Sequence, residues 1–394
     1  MKTASLTLAS IFLFGVAFSQ ETGYTANNAN AFAFDVYKKL AQSSDNNIFF
    51  SPVSISMALG MTYAGASGET KQQMAKALRF PADDKNFHKQ MGNLMNELLS
   101  KGSKGVEISL ANQQWADKSY KFRCKYLREV KRAYKAPVKR LDFRNKSDES
   151  RLVINKWVED QTRERIKDLL PGGSITNLTT LVLTNAIYFK GQWDSKFQEE
   201  DTNNEPFKTA SGKEVQARMM NAKEKFNIYQ GNGIKLLELP YAGKDFSMLV
   251  LLPNEETSLP QVEKQLTLDD LNRYIDLMIE SEVRLGLPKF KFESKAELKP
   301  VLSELGMPIA FSNAADLSRM ARNKELKIDE VYHKAFVEVS EEGTEAAAAT
   351  AVVIVRKSIS IPVEFIANRP FMFMIRENKN GNILFMGRVN NPNS

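Results

Sequence analysis

The order of the helical and strand-like patterns along this chain of 394 residues is the feature that most restricts its fold. In the first half, apolar residues recur at helical spacing in residues 31–40 and 83–100, and the segment after Ser51-Pro52 is apolar on nearly every side. From residue 181 onwards the chain contains short apolar runs bounded by polar or turn residues, which is typical of central strands: residues 181–189, 247–252, 371–375 and 383–386. Helices that precede strands favour an α+β fold over repeating βαβ units.

The N-terminus has the pattern of a secretory signal. Lys2 supplies a positive charge, residues 6–18 are largely apolar, and Ala17-Phe18-Ser19 is a small-x-small cleavage pattern. No later apolar run reaches the roughly 18 residues that a membrane span needs, and no linker rich in Pro, Gly or Ser interrupts the chain. We therefore predict a signal peptide over residues 1–19 and one secreted, extracellular domain over residues 20–394, without a membrane span.

Two further features bear on the secretory route. Glycosylation sequons begin at Asn145 and Asn177, which fits a secreted glycoprotein of eukaryotic origin. Cys124 is the only cysteine, so the chain cannot form an intramolecular disulfide and must be stabilised by a large core. We expect this thiol to be half-buried and unreactive.

The chain offers little of what catalysis needs. Its two histidines, His88 and His333, lie far apart and lack the spacing of a metal site, and no Gly-x-Ser-x-Gly elbow is present. Gly231-Asn232-Gly233 lacks the third glycine of a dinucleotide loop, and residues 65–71 lack the Gly-Lys-Ser/Thr ending of a phosphate loop. We predict a protein that is not an enzyme and that has no metal and no cofactor.

Residues 118–140 are unusually basic, with ten basic residues and one acidic residue, Glu129. In a helix, five of these cations would lie along one face, namely Lys121, Lys125, Arg128, Arg132 and Lys135, while Leu127, Val130 and Tyr134 would face inward. Such a face can be ordinary solvated surface, or it can bind a polyanion such as a heparin-like sulfated glycosaminoglycan. Nucleic acid is a less suitable partner, because no nucleic-acid recognition motif is present and the protein is predicted to be exported.

Residues 341–358 read EEGTEAAAATAVVIVRKS, so that small residues are followed by β-branched ones and then by a basic pair. Small residues suit either an exposed loop or a tightly packed strand, because they lose little side-chain entropy and need little room. The composition therefore leaves two interpretations open, a buried strand that ends in a charged turn and an exposed loop. Arg356 and Lys357 are side chains that a trypsin-like protease recognises.

Five segments together resemble the serpin family, in the expected order and over essentially the whole mature chain: NIFFSPVSISMALGMTYAGASGET at 47–70, LTNAIYFKGQW at 183–193, FSNAADLS at 311–318, VYHKAFVEVSEEGTEAAAAT at 331–350 and NRPFMFMIRENKNGNILFMGRVNNP at 368–392. The resemblance implies a single α+β domain with three β-sheets, about eight or nine helices, a metastable native state and an exposed reactive-centre loop over about residues 341–362. It also implies a secreted, inhibitory monomer with a basic reactive-centre residue, similar to serpins of invertebrate haemolymph.

Inhibitory serpins present this loop to a serine protease, which cleaves it and becomes acyl-linked to it. The cut loop then inserts as a strand into the largest sheet and distorts the protease. Alternate residues of an inserted strand face the core. The resemblance assigns the hinge to residues that match those of inhibitory serpins: Glu341, Gly343, Thr344, Ala346, Ala348 and Thr350. The family spacing of seventeen residues, counted from Glu341, places the reactive bond at Lys357-Ser358; a loop one residue shorter would be cut at Arg356-Lys357.

The resemblance also implies which residues control opening of the sheet. Ser54, Asn185 and His333 match a polar cluster beneath the sheet, so His333 is expected to be a hydrogen-bonded core residue. Trp193 and Lys289 match the region where the loop enters, and we predict an ion pair between Lys289 and Glu341.

The leading functional prediction is a suicide-substrate inhibitor of a trypsin-like serine protease in an extracellular cascade such as clotting, complement or innate immunity, with heparin-like polyanions as modulators. Two alternatives use the same fold. One is a non-inhibitory carrier or chaperone, and the other is a protein that mainly binds glycosaminoglycan through residues 118–140.

Overall fold

The structure, a computed structural model, describes residues 24–81, 86–100, 105–322, 326–344 and 362–394. Within these ranges there are nine α-helices: α1 (Ala26–Ser43), α2 (Pro52–Tyr63), α3 (Gly68–Ala77), α4 (Phe87–Ser100), α5 (Cys124–Tyr134), α6 (Ser147–Gln161), α7 (Leu259–Gln265), α8 (Leu268–Asp276) and α9 (Leu298–Glu304). The predicted helices in residues 31–40, after Ser51-Pro52 and in 83–100 correspond to α1, α2 and α4 and are confirmed.

The same ranges contain fifteen strands: β1 (Ile48–Phe50), β2 (Val106–Asp117), β3 (Lys139–Leu141), β4 (Leu181–Gln192), β5 (Thr202–Lys208), β6 (Glu214–Gly231), β7 (Ile234–Pro240), β8 (Phe246–Pro253), β9 (Ile279–Pro288), β10 (Phe290–Glu297), β11 (Glu330–Ser340), β12 (Gly343–Thr344), β13 (Val363–Ile366), β14 (Phe371–Glu377) and β15 (Ile383–Val389). The four apolar runs predicted as central strands form β4, β8, β14 and β15, as predicted.

One sheet has nine strands in the order β1-β15-β14-β8-β7-β6-β9-β13, with β5 also paired to β6. The N-terminal part of β6 pairs with β5, and its C-terminal part pairs with β7. Strand β9 pairs with residues 219–228 of β6. The described strands thus form two hydrogen-bonded sheets, because β6 joins the strands paired at its two ends into one continuous sheet.

The other sheet has six strands in the order β10-β11-β12-β4-β2-β3. Long antiparallel ladders join β2 to β4 and β10 to β11, whereas β4 and β11 run parallel. A parallel pair is slightly less stable per residue than an antiparallel one. The junction between β4 and β11 is therefore the weakest long pairing at the centre of this sheet.

Helix α2 supports this junction from below. Ser51 is its N-cap and accepts a hydrogen bond from the Ser54 backbone N–H at 3.2 Å, and Pro52 occupies the first turn, where no backbone donor is needed. All twelve of its residues are buried, as expected for a helix that is apolar on nearly every side. The helix contacts β2, β4 and β15, so it lies between the two sheets.

Helix α6 covers the opposite face of the six-stranded sheet. Its Ile154 and Val158 pack with Ala186 of β4 and with Tyr332 and Phe336 of β11 in a small core of their own. The junction of β4 and β11 is thus enclosed by helices on both faces. Among the described residues, no helix combines the length and the apolar character that crossing a membrane requires.

Candidate functional site

The candidate site lies where β11 ends and the chain turns back. We call the parallel pairing of β4 with β11 the seam. From here on the hinge means residues 341–344, the part of the predicted hinge that the structure describes. The seam is closed over six residue pairs, from Glu330 opposite Val182 to Ala335 opposite Ile187. Beyond it the two strands separate, and β12 occupies the space between them.

The two residues of β12 pair on both sides. Thr344 lies opposite Val339 of β11 and also opposite Gly191 of β4, and both pairings are antiparallel. The hinge is therefore a strand that has entered the sheet by two residues. Continuation of the chain in the same direction would replace the parallel seam by two antiparallel ladders.

Gly343 is required at this position. Its φ of 145° lies outside the range that side-chain-bearing residues favour, and a Cβ would stand 2.0 Å from the carbonyl oxygen of Gly191. The backbones of β12 and β4 can approach this closely only without that atom.

Thr344 is almost fully buried, with 1 % of its surface exposed. Its hydroxyl is 2.8 Å from the hydroxyl of Tyr241, whose ring stacks on Trp193 with ring centroids 4.7 Å apart. Burial raises the pKa of Tyr241 above its usual range, and the hydrogen bond to Thr344 only partly offsets that effect. The phenol therefore remains protonated at all physiological pH values.

Trp193 also holds the turn that leads into β12. Its indole Nε1–H donates to the carbonyl of Ser340 at 3.0 Å, and its backbone N–H donates to the carbonyl of Glu342 at 3.0 Å. The backbone N–H of Phe197 donates to the carbonyl of Glu341 at 3.0 Å. Three consecutive carbonyls of the turn are thus hydrogen-bonded to one short segment.

The predicted ion pair between Glu341 and Lys289 is present, with Oε2 and Nζ 2.7 Å apart. The other carboxylate oxygen, Oε1, accepts from the hydroxyl of Thr202 at 2.9 Å. Burial alone would raise the pKa of Glu341, but hydrogen bonds from Lys289, its own backbone and Thr202 outweigh burial and hold that pKa below its usual range. The side chain of Glu341 is buried while that of Lys289 is 37 % exposed, so water screens this pair from one side.

A polar cluster spans the seam. Asn185 of β4 lies directly opposite His333 of β11, and its side-chain carbonyl accepts from His333 Nδ1. His333 Nε2 accepts from the Ser51 backbone N–H at 3.1 Å, so the imidazole is neutral and carries its proton on Nδ1. The amide of Asn185 donates to the hydroxyl of Ser54 at 2.6 Å, which in turn donates to Asn112 of β2 at 3.0 Å.

Complete burial lowers the pKa of His333 to about 3. The cluster therefore works as a set of neutral hydrogen bonds that join both strands of the seam to the N-terminus of α2. It brings together Ser54, Asn185 and His333, the three residues that the sequence predicts here.

The basic residues of the second predicted site lie on or beside α5. All five cations are exposed, and we call them the basic strip: Lys121, Lys125, Arg128, Arg132 and Lys135. Within the described ranges, none of them forms an ion pair with a carboxylate. Lys121 precedes the helix, and Lys135 is its C-cap with a φ of 52°.

The inner face of α5 follows the predicted pattern. Val130 and Tyr134 are buried, and Leu127 is partly buried against the main core. Cys124 differs from the expectation, because the thiol is exposed rather than half-buried. As the first residue of α5 it lies at the edge of the basic strip, away from the packed face.

Both sequon asparagines are exposed. Asn145 lies in the turn before α6, where its amide donates to Asp142 at 3.0 Å, and Asn177 lies in the turn that precedes β4. The remaining predicted residues fall outside the described ranges: the signal peptide of residues 1–19 and the loop residues Ala346, Ala348, Thr350, Arg356, Lys357 and Ser358.

Three residues of the site escape prediction from the sequence. Tyr241, Thr202 and Asn112 contact Thr344, Glu341 and Ser54 respectively. They come from separate strands or strand ends, and no local spacing marks them. Only the register of the two sheets brings these side chains to the site.

Comparison with known proteins gives a consistent result. The family described as serpin (serine protease inhibitor) matches residues 27–392. Serpin B4 of Homo sapiens is 44 % identical over 381 residues, which cover 92 % of this chain and 97 % of that protein. The leukocyte elastase inhibitor of Xenopus tropicalis is 40 % identical over 369 residues and covers the same shares, 92 % and 97 %.

The fold is similar to that of uncleaved ovalbumin in its crystal structure. The TM-score is 0.85 at 32 % sequence identity, and the match covers 94 % of this chain and all of ovalbumin.

Proposed function

The chain belongs to the serpin family, and from that premise we propose that it is a secreted suicide-substrate inhibitor of trypsin-like serine proteases. The observation that carries the proposal is the position of the hinge, which already pairs with both β4 and β11 above a closed seam. A segment held in this way needs only release of its far end to continue into the sheet.

The proposed reaction has a covalent and a conformational step. The serine hydroxyl of the protease attacks the carbonyl carbon of Lys357, the peptide bond to Ser358 breaks, and the new amino terminus leaves with a proton. Lys357 then remains joined to the protease as an ester. Insertion of the freed loop moves that ester, and the protease with it, before water can hydrolyse the acyl group.

The geometry of Thr344 supports insertion of the following residues. Its side chain faces the core at Tyr241, and strand residues alternate between the two faces of a sheet. Ala346, Ala348 and Thr350 would therefore face inward too, and all three are small and uncharged. Each inserted residue exchanges the parallel seam for antiparallel pairing on both sides, which is the more stable arrangement.

The basic pair supports a trypsin-like target. The specificity pocket of such proteases holds an aspartate that pairs with Lys or Arg. We place the cut after Lys357, and a cut after Arg356 is the alternative. The relative in Xenopus tropicalis is named as an inhibitor of leukocyte elastase. The test must therefore include proteases whose specificity is not trypsin-like.

The experiment is incubation of the mature protein with a panel of trypsin-like proteases and an elastase, followed by denaturing gels and mass measurement of the released C-terminal peptide. We expect an SDS-stable complex with a trypsin-like protease and a peptide that begins at Ser358. A peptide that begins at Lys357 would move the reactive bond by one residue. Cleavage without any stable complex would identify the non-inhibitory carrier or chaperone instead.

We also propose that the basic strip binds a heparin-like sulfated glycosaminoglycan and thereby modulates inhibition. The supporting observation is that its five exposed cations have no carboxylate partner in the described part of the chain. Neutralising Lys121, Lys125, Arg128 and Arg132 together should abolish retention on a heparin column at physiological salt. Unchanged retention would exclude this function for the strip.

Secretion, glycosylation and a role in an extracellular cascade complete the proposal. Support comes from the signal pattern of residues 1–19 and from the exposure of Asn145 and Asn177. Expression in a eukaryotic cell line should place the protein in the medium, with an N-terminus at Gln20. A mass decrease after enzymatic removal of N-glycans would report which sequons are occupied, and retention in the cytosol would contradict secretion.

A further inference from the structure

A second basic segment lies against the start of the basic strip. Phe122 and Ala321 form an isolated antiparallel bridge. The backbone N–H of Arg123 donates to the carbonyl of Met320 at 2.9 Å, and that of Arg322 donates to the carbonyl of Lys121 at 3.2 Å. Because Met320 and Ala321 are completely buried, this contact fixes the two segments to each other and to the core.

The bridge places Lys121 directly opposite Arg322. Both residues are exposed, and neither has an ion pair with a carboxylate in the described ranges. Residues directly opposite each other in an antiparallel pair have their Cβ atoms about 5 Å apart, and like charges in such a pair destabilise it. The fold therefore retains a local electrostatic cost that an anion would remove.

The same region carries a second unfavourable arrangement. Arg123 and Lys125 flank Cys124, the first residue of α5, and the N-terminus of a helix has partial positive charge that repels cations. The Nε–H of Arg123 donates to the carbonyl of Ser318 at 2.6 Å. This hydrogen bond holds the side chain in place without neutralising its charge. Positive charge is thus concentrated at this end of α5 rather than balanced.

We propose that a sulfated glycosaminoglycan binds across both chain segments, with Lys121 and Arg322 forming one end of the binding surface. This inference rests on the proposed polyanion-binding function and adds Arg322, a residue that lies outside the basic segment 118–140. The ligand would run from Arg322 past Lys121 and then along Lys125, Arg128 and Arg132. Lys125, Arg128 and Arg132 follow one face of α5 at steps of three and four residues, which suits a linear polymer with regularly spaced sulfates better than a flat anionic membrane.

The test measures heparin affinity as a function of salt for single variants of the full mature chain. Arg322→Ala and Lys121→Ala should each weaken binding and each reduce the slope of log affinity against log salt by about one, as for loss of one ionic contact. Arg322→Lys should restore most of the slope. Lys213→Ala, which removes an exposed cation from the turn between β5 and β6, is the matched control and should change neither quantity.

Cys124 supplies an independent readout in the unmodified protein. The thiol is exposed, is the only one in the chain, and lies between Lys121 and Lys125. A heparin oligosaccharide should slow its alkylation by a neutral reagent such as iodoacetamide. We expect less protection at the same oligosaccharide concentration in Arg322→Ala than in the control variant.

The outcomes separate this inference from the function on which it rests. If Lys125→Ala and Arg128→Ala weaken binding but Arg322→Ala does not, the basic strip binds heparin, and the proposal that Arg322 contributes to binding is wrong. If none of the variants changes retention, the polyanion function fails as well. Binding to DNA or to anionic vesicles as tight as to heparin, at equal salt, would overturn the assignment of a sulfated glycosaminoglycan.

Discussion

Thr344 is the last residue of β12 and is buried between β4 and β11. Its side chain is buried, and its hydroxyl contacts that of Tyr241. In Thr344→Arg, burying an unpaired guanidinium would cost several kcal/mol. Since about 1.4 kcal/mol corresponds to a factor of ten, we expect the yield of covalent protease complex to fall more than tenfold while cleavage of the loop continues.

Gel quantification of complex against cleaved inhibitor measures this effect. Thr344→Ser, which keeps the hydroxyl that contacts Tyr241, should behave as the wild type. Equal complex yields for the arginine and serine variants would show that inhibition does not depend on the burial of residue 344 in the sheet.

Glu341 fixes the hinge through Lys289 and Thr202. Glu341→Lys would place two ammonium groups together beside a buried hydroxyl. Breaking a buried pair costs about 3–5 kcal/mol, and screening at the partly exposed Lys289 reduces this to about 2–3 kcal/mol. We expect the hinge to detach, so that the seam accepts the loop of a second molecule and polymers form on mild heating.

Native gels before and after heating detect the polymers. Glu341→Gln removes the charge but can keep the hydrogen bond from Thr202, so it should polymerise less. A Glu341→Lys protein that stays monomeric and inhibits normally would contradict the proposed role of the ion pair.

At the scale of single elements, the seam depends on a neutral His333. Its pKa is about 3 in the folded protein, against 6.5 as the ordinary value that applies when the chain is unfolded. The unfolded chain therefore binds a proton first as pH falls, so this contribution to stability is complete above pH 6.5 and is lost between about 6.5 and 3. The slope approaches about 1.4 kcal/mol per pH unit.

Thermal inactivation midpoints at pH 7.5 and pH 5.5 measure this dependence. His333→Gln can still accept from Ser51 and donate to Asn185 but cannot titrate, so its midpoint should change less between the two pH values. An equal change in both proteins would assign the pH dependence to other groups.

The elements themselves follow from local patterns, while their contacts do not. The apolar spacing of residues 31–40 predicts α1 because one face of that helix is buried, and the continuous apolar run at 181–189 predicts β4 because both faces of that strand are buried. The pairing of β12 with β4 depends on register between distant strands. The contact between Thr344 and Tyr241 joins residues 103 positions apart and has no counterpart in any local pattern.

The family resemblance recovered part of this long-range information. It brought together Ser54, Asn185 and His333, and it paired Glu341 with Lys289, because those positions carry recognisable residues. Tyr241, Thr202 and Arg322 are not among the residues that the resemblance assigns, so only the folded chain reveals them.

At the scale of the whole molecule, the six-stranded sheet has its parallel seam near the centre, where a further strand could be added. Full insertion of the loop would add a strand with hydrogen bonds on both sides. For about ten inserted residues at roughly 1 kcal/mol of net stabilisation each, the gain is on the order of 10 kcal/mol. We therefore expect the cleaved protein to unfold at a much higher temperature than the intact one.

Circular dichroism during heating, before and after cleavage at the reactive bond, tests this expectation. The Thr344→Arg variant, cleaved in the same way, should gain less. If the cleaved wild-type protein unfolded at the same temperature as the intact form, the loop would not insert, and the inhibitory mechanism would be excluded.

The requirement for glycine at position 343 has a practical consequence for engineering. Contacts of the backbone fix the point of entry into the sheet, whereas Arg356, Lys357 and Ser358 lie more than ten positions further along the chain. The two parts can therefore be redesigned separately. Exchanging residues 356–358 would redirect the molecule toward proteases of another specificity while its entry point stays the same, so one scaffold can serve a library of targets.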